Sequence, residues 1–250
     1  MDYNKYIKKN EIWSLIPARS GSKRIKNKNI IEINSYPLIS YSVIISRQIK
    51  EISRTFVTTD SKKIQSLSNK YGAETPYLRS KKISNSKSVD IEYFKEFVNH
   101  FILKEILPEF IVQLRPTTPF RNINIIKKAI KIIKKNKRYT SLRSSNLFSH
   151  PPEKLFRIKN NKYTNIFFKK TEEKVFNASS QSFAKTYIPN GYVDIIRTSN
   201  LFKTKLYGDN ILPFITPSII DIDQPEDLNI CRVINNNEKK ELIKKLKKIK

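Results

Sequence analysis

Short apolar runs alternate along this chain with segments whose apolar residues recur every three or four positions, a rhythm of strands and helices. The run at 12–16 predicts a buried first strand, stopped by Pro17 and followed by a Ser/Gly/Lys loop to Asn29. Pro37 suits the first position of a helix, to which Leu38, Tyr41, Ile44 and Ile45 give an apolar stripe. A second strand is expected at 55–58, ending at Asp60. A helix at 64–70 closes at Gly72, and a third strand is expected at 74–78. Ile91, Phe94, Phe97, Val98 and Phe101 repeat at helical spacing. A strand at 110–114 then leads through a proline-rich turn to a helix carrying Ile125, Ile126, Ala129, Ile130 and Ile133.

That alternation predicts an α/β fold with a mostly parallel sheet and helices on both faces. The rhythm breaks over about 143–189, where segments shorten and Phe, Ser and Asn dominate. This stretch reads as an inserted excursion used for subunit contact. Strand character returns at 191–196, extended chain follows at 211–222, and Pro225 opens a helix with Glu226 and Asp227 in its first turn. The pattern describes one domain over 11–237, with 238–250 a basic, solvated terminal helix or tail.

With 38% of its residues hydrophobic and 11% of all residues aromatic, a chain of 250 residues can fill one large core. No apolar run is long enough to span a membrane, and the polar N-terminus lacks the apolar core of a secretory signal. One cysteine, Cys231, excludes a disulfide framework, and with two isolated histidines any metal must rest on carboxylates. A cytoplasmic protein is expected. The formal charge of +27 would attract any polyanion. Its lysines are scattered through every element without a recognition motif, so no specific nucleic-acid partner is expected.

Two places carry chemistry. Arg19, Ser20, Gly21, Ser22, Lys23 and Arg24, with Lys28 and Asn29 beyond, follow the first strand directly. Ligands bind beyond the carboxyl ends of strands in such sheets, where small residues can turn backbone N–H groups toward phosphate oxygens. With only four glycines in the chain, each is expected where a side chain will not fit. On the residues alone, the loop is either a phosphate cradle or an ordinary basic turn. The second place is Asp221-Ile222-Asp223, read as strand, which would set both carboxylates on one face. Two hard oxygen donors suit Mg²⁺ bound jointly with substrate phosphates; alternatively, one of them caps the following helix. Thr117 and Thr118 are either helix caps or ligand contacts. Asp60 is either a cap or a support for the metal. His100 reads as structural, and His150 as a remote possibility at an acceptor.

Five blocks in order resemble the cytidylyltransferases that make CMP-activated sialic, legionaminic and pseudaminic acids. They are 16–24 with 27–29; 57–60 with 71–73 and 78–79; 114–121; 189–191; and 221–223 with Asp227. The resemblance covers about 12–234. It implies a Rossmann-like nucleotidyltransferase fold, CTP as substrate, Mg²⁺ as cofactor, a nine-carbon acidic sugar as acceptor and a homodimer. Arg19, Ser20, Gly21, Ser22, Lys23, Lys28 and Asn29 would hold the triphosphate. Arg79 would read the base with Arg115 beside it, and Asp221 and Asp223 would hold the metal. Asn190, Lys154 and Gln181 would meet the sugar, Lys154 in the partner subunit's site. Arg19, Lys28, Asp221 and Asp223 would be catalytic. The chain departs from the family at Arg115, where Gln is common, and at Asp194, where an aromatic residue is common. Ser180 and Ile188 stand where arginines often occur. These departures leave open a related transferase with another acceptor or base, and the charge leaves open a non-catalytic basic binding protein.

Overall fold

The computed structural model describes residues 2–167 and 173–249. Its first strand, β1 (Ile7–Pro17), alternates its side chains between two cores. Ile12 and Ile16 face one side; Trp13 and Leu15 face the other. A two-residue ladder of β2 (Glu32–Ile33) and β3 (Tyr36–Pro37) leads into α1 (Leu38–Arg47). Pro37 is extended and precedes the helix, a conformation its ring and missing N–H favour at this boundary. Every residue of α1 from Leu38 to Ser46 is buried, so it packs all round and not by one stripe. β4 (Arg54–Thr58) and α2 (Lys62–Lys70) follow, with Ser61 Oγ capping α2.

The third strand expected at 74–78 does not form. Glu74 alone bridges Phe56, because Pro76 has no N–H to continue a ladder. The chain instead runs beside β4 until the Arg79 amide reaches Thr59 O at 2.7 Å. Then come α3 (Asp90–Ile102), β5 (Leu107–Gln113) and α4 (Ile123–Lys135), the last capped by Asn122 and not by Thr117 or Thr118. β6 (Ser141–Leu147) belongs to the central sheet, so the excursion begins after it. It holds a hairpin of β7 (Phe156–Lys159) and β8 (Lys162–Asn165), and the short α5 (Glu173–Asn177). β9 (Tyr187–Arg197) returns to the sheet, followed by β10 (Ile211–Ile215), α6 (Pro225–Val233) and α7 (Asn237–Leu246).

The six central strands lie in the order β10-β6-β9-β5-β1-β4. All neighbours are parallel except β9, which runs antiparallel between β5 and β6. On one face α3 covers Trp13, Phe56 and Ile111 with Phe94, Phe97 and Phe101. Trp13 meets Phe101 at 4.8 Å and Phe56 at 5.2 Å between ring centroids. On the other face α1, α4, α6 and α7 cover Ile12, Val57, Val112 and Ile195. The C-terminal helix is therefore no solvated tail. Leu242 and Leu246 are buried, and Lys239 Nζ donates to the carbonyls of Cys231, Arg232 and Ile234 at 2.7–3.0 Å, closing the exposed end of α6. Among the described residues no helix is long and apolar enough to cross a membrane.

Candidate active site

A cleft of about 570 Å³ opens where β1, β4 and β5 end. The loop after β1 forms one wall. Its course is fixed by Asp60, whose two carboxylate oxygens accept from the Ser20 amide and hydroxyl at 2.7 Å each. Asn29, buried, donates through Nδ2 to Arg19 O at 2.9 Å and ties the far end of the loop back to its start. Asp60 thus anchors the loop, and Ser61 does the capping expected of it. Arg19, Ser22, Lys23, Arg24, Lys28 and Asn29 line the cleft; Ser20 and Gly21 do not. A side chain at Gly21 would meet only Arg19 Nη1, at 3.6 Å, so the protein's own atoms do not require glycine there.

Asp221-Ile222-Asp223 comes from the other end of the chain, in an extended loop and not a strand. Ile222 is fully buried and its amide donates to Thr117 O at 2.8 Å, so both flanking aspartates line the cleft despite the absence of a ladder. Lys28 Nζ joins the two walls, donating to Ile222 O at 2.8 Å and Asp223 Oδ1 at 3.0 Å. Arg24 Nη1 lies 3.3 Å from Asp223 Oδ2. Burial alone would raise the Asp223 pKa, but Lys28 and Arg24 outweigh it and hold the carboxyl below its usual value. The cap of α6 falls to Asp227, whose Oδ2 accepts from the Asp223 and Gln224 amides at 2.9 and 2.8 Å. With Asp227 taken up as the cap, Asp221 and Asp223 are the carboxylates of this segment that could hold a metal, Asp223 while paired with Lys28 and Arg24. No group of three or more His, Cys, Asp or Glu gathers among the described residues.

The floor is built from β4, α3, β5 and β9. Arg79 is buried against the Tyr93 ring and donates to Thr58 Oγ1 at 3.1 Å and Thr58 O at 2.6 Å. Arg115 pairs with Asp90 at the start of α3. Burial opposes ionisation of that carboxyl, yet the Arg115 charge keeps its pKa below normal. Gly191 sits beside this pair with φ +65°, and a Cβ there would meet Arg115 Cδ and Thr118 Oγ1 at 3.5 Å. Those are ordinary contacts, so glycine is favoured at this point of β9 by its left-handed backbone and not by lack of room.

The sugar-side expectations fare differently. Asn190 is buried beneath the cleft lining, with Nδ2 on Thr216 Oγ1 at 2.7 Å. Lys154 bonds to Ala178 O, and both Lys154 and Gln181 lie in the excursion, off this chain's cleft. His150 is exposed beside Ser149, also off the cleft, and His100 packs on the Tyr77 ring. Arg121 and Asp90 also build the site, although neither was expected to. Arg121 is enclosed and its guanidinium donates to Tyr192 O, Ser42 Oγ, Arg115 O and Gly191 O, locking the floor together. Its place in the 114–121 block was the available signal.

Residues 13–221 match the family described as Cytidylyltransferase. The N-acylneuraminate cytidylyltransferase of Escherichia coli O18:K1:H7 is 28% identical over 236 residues, covering 93% of this chain and 54% of that protein. The chain thus spans about half the length of that relative. The pseudaminic acid cytidylyltransferase of Campylobacter jejuni serotype O:23/36 is 27% identical over 225 residues, covering 88% of this chain and 94% of that one. Among solved structures, a CMP:2-keto-3-deoxy-manno-octonic acid synthetase complexed with CTP superposes with a TM-score of 0.66 at 14% identity, over 89% of this chain and 97% of that one. That likeness is one of fold.

Proposed function

Because the chain belongs to the cytidylyltransferase family, we propose that it transfers CMP from CTP to the anomeric hydroxyl of a nine-carbon acidic sugar, releasing pyrophosphate. The sugars meant are of the sialic, legionaminic or pseudaminic acid type. The observation that carries this reading is the meeting of the Arg19–Asn29 loop with Asp221 and Asp223 across one cleft, bridged by Lys28. In the reaction the sugar hydroxyl oxygen bonds to the α-phosphorus and gives up its proton to solvent, as the bond from that phosphorus to the β-phosphate bridging oxygen breaks. Arg19, Ser22, Lys23 and Lys28 bind the triphosphate and offset the charge growing on the leaving pyrophosphate. Arg79 closes the base end. Asp221 and Asp223 are the residues that would hold Mg²⁺, which when bound neutralises phosphate charge. A cation shared with substrate phosphates fits two carboxylates without a third protein ligand.

The excursion is proposed as the homodimer contact. Ile158, Tyr163 and Phe167 are 60–73% exposed there, more apolar surface than a lone hairpin would normally leave in water. In a dimer Lys154 and Gln181 would reach the partner's sugar. Pyrophosphate release is to be measured with each of CTP, ATP, GTP and UTP against sialic, legionaminic, pseudaminic and 3-deoxy-octulosonic acids. CTP with one nine-carbon acid should give turnover. Preference for another nucleotide, or for the eight-carbon acid, would replace this reading.

A further inference from the structure

Three arginines line the cleft away from the loop after β1: Arg79, Arg115 and Arg143. Arg79 is committed to Thr58 and Arg115 to Asp90. Arg143 makes no close side-chain hydrogen bond among the described residues, and its Nε is buried without a hydrogen-bond acceptor. Its side chain is nevertheless 38% exposed, with the guanidinium 4.7 Å over the Tyr207 ring and Nε 4.0 Å from Asp194 Oδ2. Tyr207 Oη donates to the same Asp194 oxygen at 3.0 Å. Register explains the grouping. Gln113, Asp194 and Arg143 are direct partners across β5, β9 and β6, one step along from the buried row Val112, Ile195 and Leu142. Asp194 is only 4% exposed, and its burial raises its pKa against the pull of Arg115 and Arg143. A polar row with a carboxylate and a guanidinium across the middle of a sheet is costly to bury and is kept where it meets something.

We propose that Arg143 receives the carboxylate of the acceptor sugar, with Asp194 and Tyr207 as positioning residues that hold its guanidinium at the acceptor end of the cleft. This rests on the acidic-sugar reading above. β6 lies three strand spacings from β1, roughly 14 Å, so the anion at Arg143 is distinct from the one held by the loop after β1. A guanidinium stacked on a ring and backed by a carboxylate offers its outer N–H edge for two parallel bonds to a second carboxylate.

The test is steady-state kinetics on whichever nine-carbon acid the wild-type protein uses, with thermal melting as a check on folding. Arg143→Gln should raise the acceptor KM by about tenfold or more while the CTP KM stays within about twofold. Arg143→Lys, which keeps the charge, should recover part of the loss. With the acceptor's carboxylate replaced by carboxamide, wild-type should lose affinity and Arg143→Gln should lose none further. An unchanged acceptor KM, or equal rises in both KM values, would overturn the inference alone. No wild-type turnover on any of the acids would overturn the functional reading, and this inference with it.

Discussion

Arg121 is 1% exposed, and among the described residues no carboxylate stands in ion-pair contact with it; burial lowers its pKa to about 9. Its guanidinium is satisfied by one hydroxyl and three carbonyls drawn from α1, the turn after β5 and the start of β9. Arg121→Met would fill the space but remove its four hydrogen bonds, taking from Tyr192 O its guanidinium donor while Arg115 O keeps Ser42 Oγ and Gly191 O keeps Thr118 Oγ1. A loss of roughly 3 kcal/mol is expected, a fall in Tm of about 6–12 °C for a chain of this size. Differential scanning calorimetry reads it directly, and an unchanged Tm would mean that water takes the guanidinium's place. Asp223 behaves differently because it is half exposed. Its folded-state pKa lies below 3.8, so its pairing with Lys28 and Arg24 is complete above that value and lost as pH falls through the depressed one. The Tm gap between wild-type and Asp223→Asn should therefore be flat above pH 3.8 and shrink below it. The same variant, folded, should lose turnover at limiting Mg²⁺; near-normal activity would remove Asp223 from the metal site.

The loop after β1 is an element without regular structure, positioned by Asp60 at one end and Asn29 at the other. Lys28→Ala or Arg19→Ala should lower kcat/KM by at least about tenfold, equivalent to ~1.4 kcal/mol of transition-state stabilisation. Wild-type kinetics in both variants would relocate the triphosphate. The residues alone left this loop open as phosphate cradle or basic turn; what could be read was its place directly after an apolar run, which sets it at the strand ends where the cleft lies. α3 and α4 were readable because Phe94, Phe97, Phe101 and Ile126, Ile130, Ile133 keep helical spacing. Other elements were hidden by what surrounds them. Pro76 ended a strand that local propensity supported. The lysines of α7 masked Leu242 and Leu246, spaced one helical turn apart, which find a core only because α1 lies beneath. Asp90 and Arg121 needed the strand order itself, since Arg115 lies 25 residues from Asp90 and three of the four acceptors of Arg121 lie 70–79 residues away.

Across the whole molecule, a net charge of +27 surrounding a cleft that itself holds Asp90, Asp194, Asp221 and Asp223 favours anion capture without sequence readout. DNA and RNA should bind weakly in filter assays and dissociate steeply as salt rises, while CTP turnover persists at physiological salt because directed bonds in a cleft are less screened. Tight, sequence-selective binding that survives high salt, without turnover, would reverse that ordering. The bridge from Lys28 to Asp223 spans 195 positions, whereas Trp13, the single tryptophan, sits in an aromatic cluster completed by Phe101. Contacts so distant in the chain close slowly, since their loop entropy is lost before they repay it. During refolding from denaturant, Trp13 fluorescence should recover ahead of CTP turnover, and simultaneous recovery would show a single cooperative step. A chain emerging from synthesis would likewise bury its aromatic core while still catalytically mute, becoming an enzyme only when its last quarter arrives to meet its beginning.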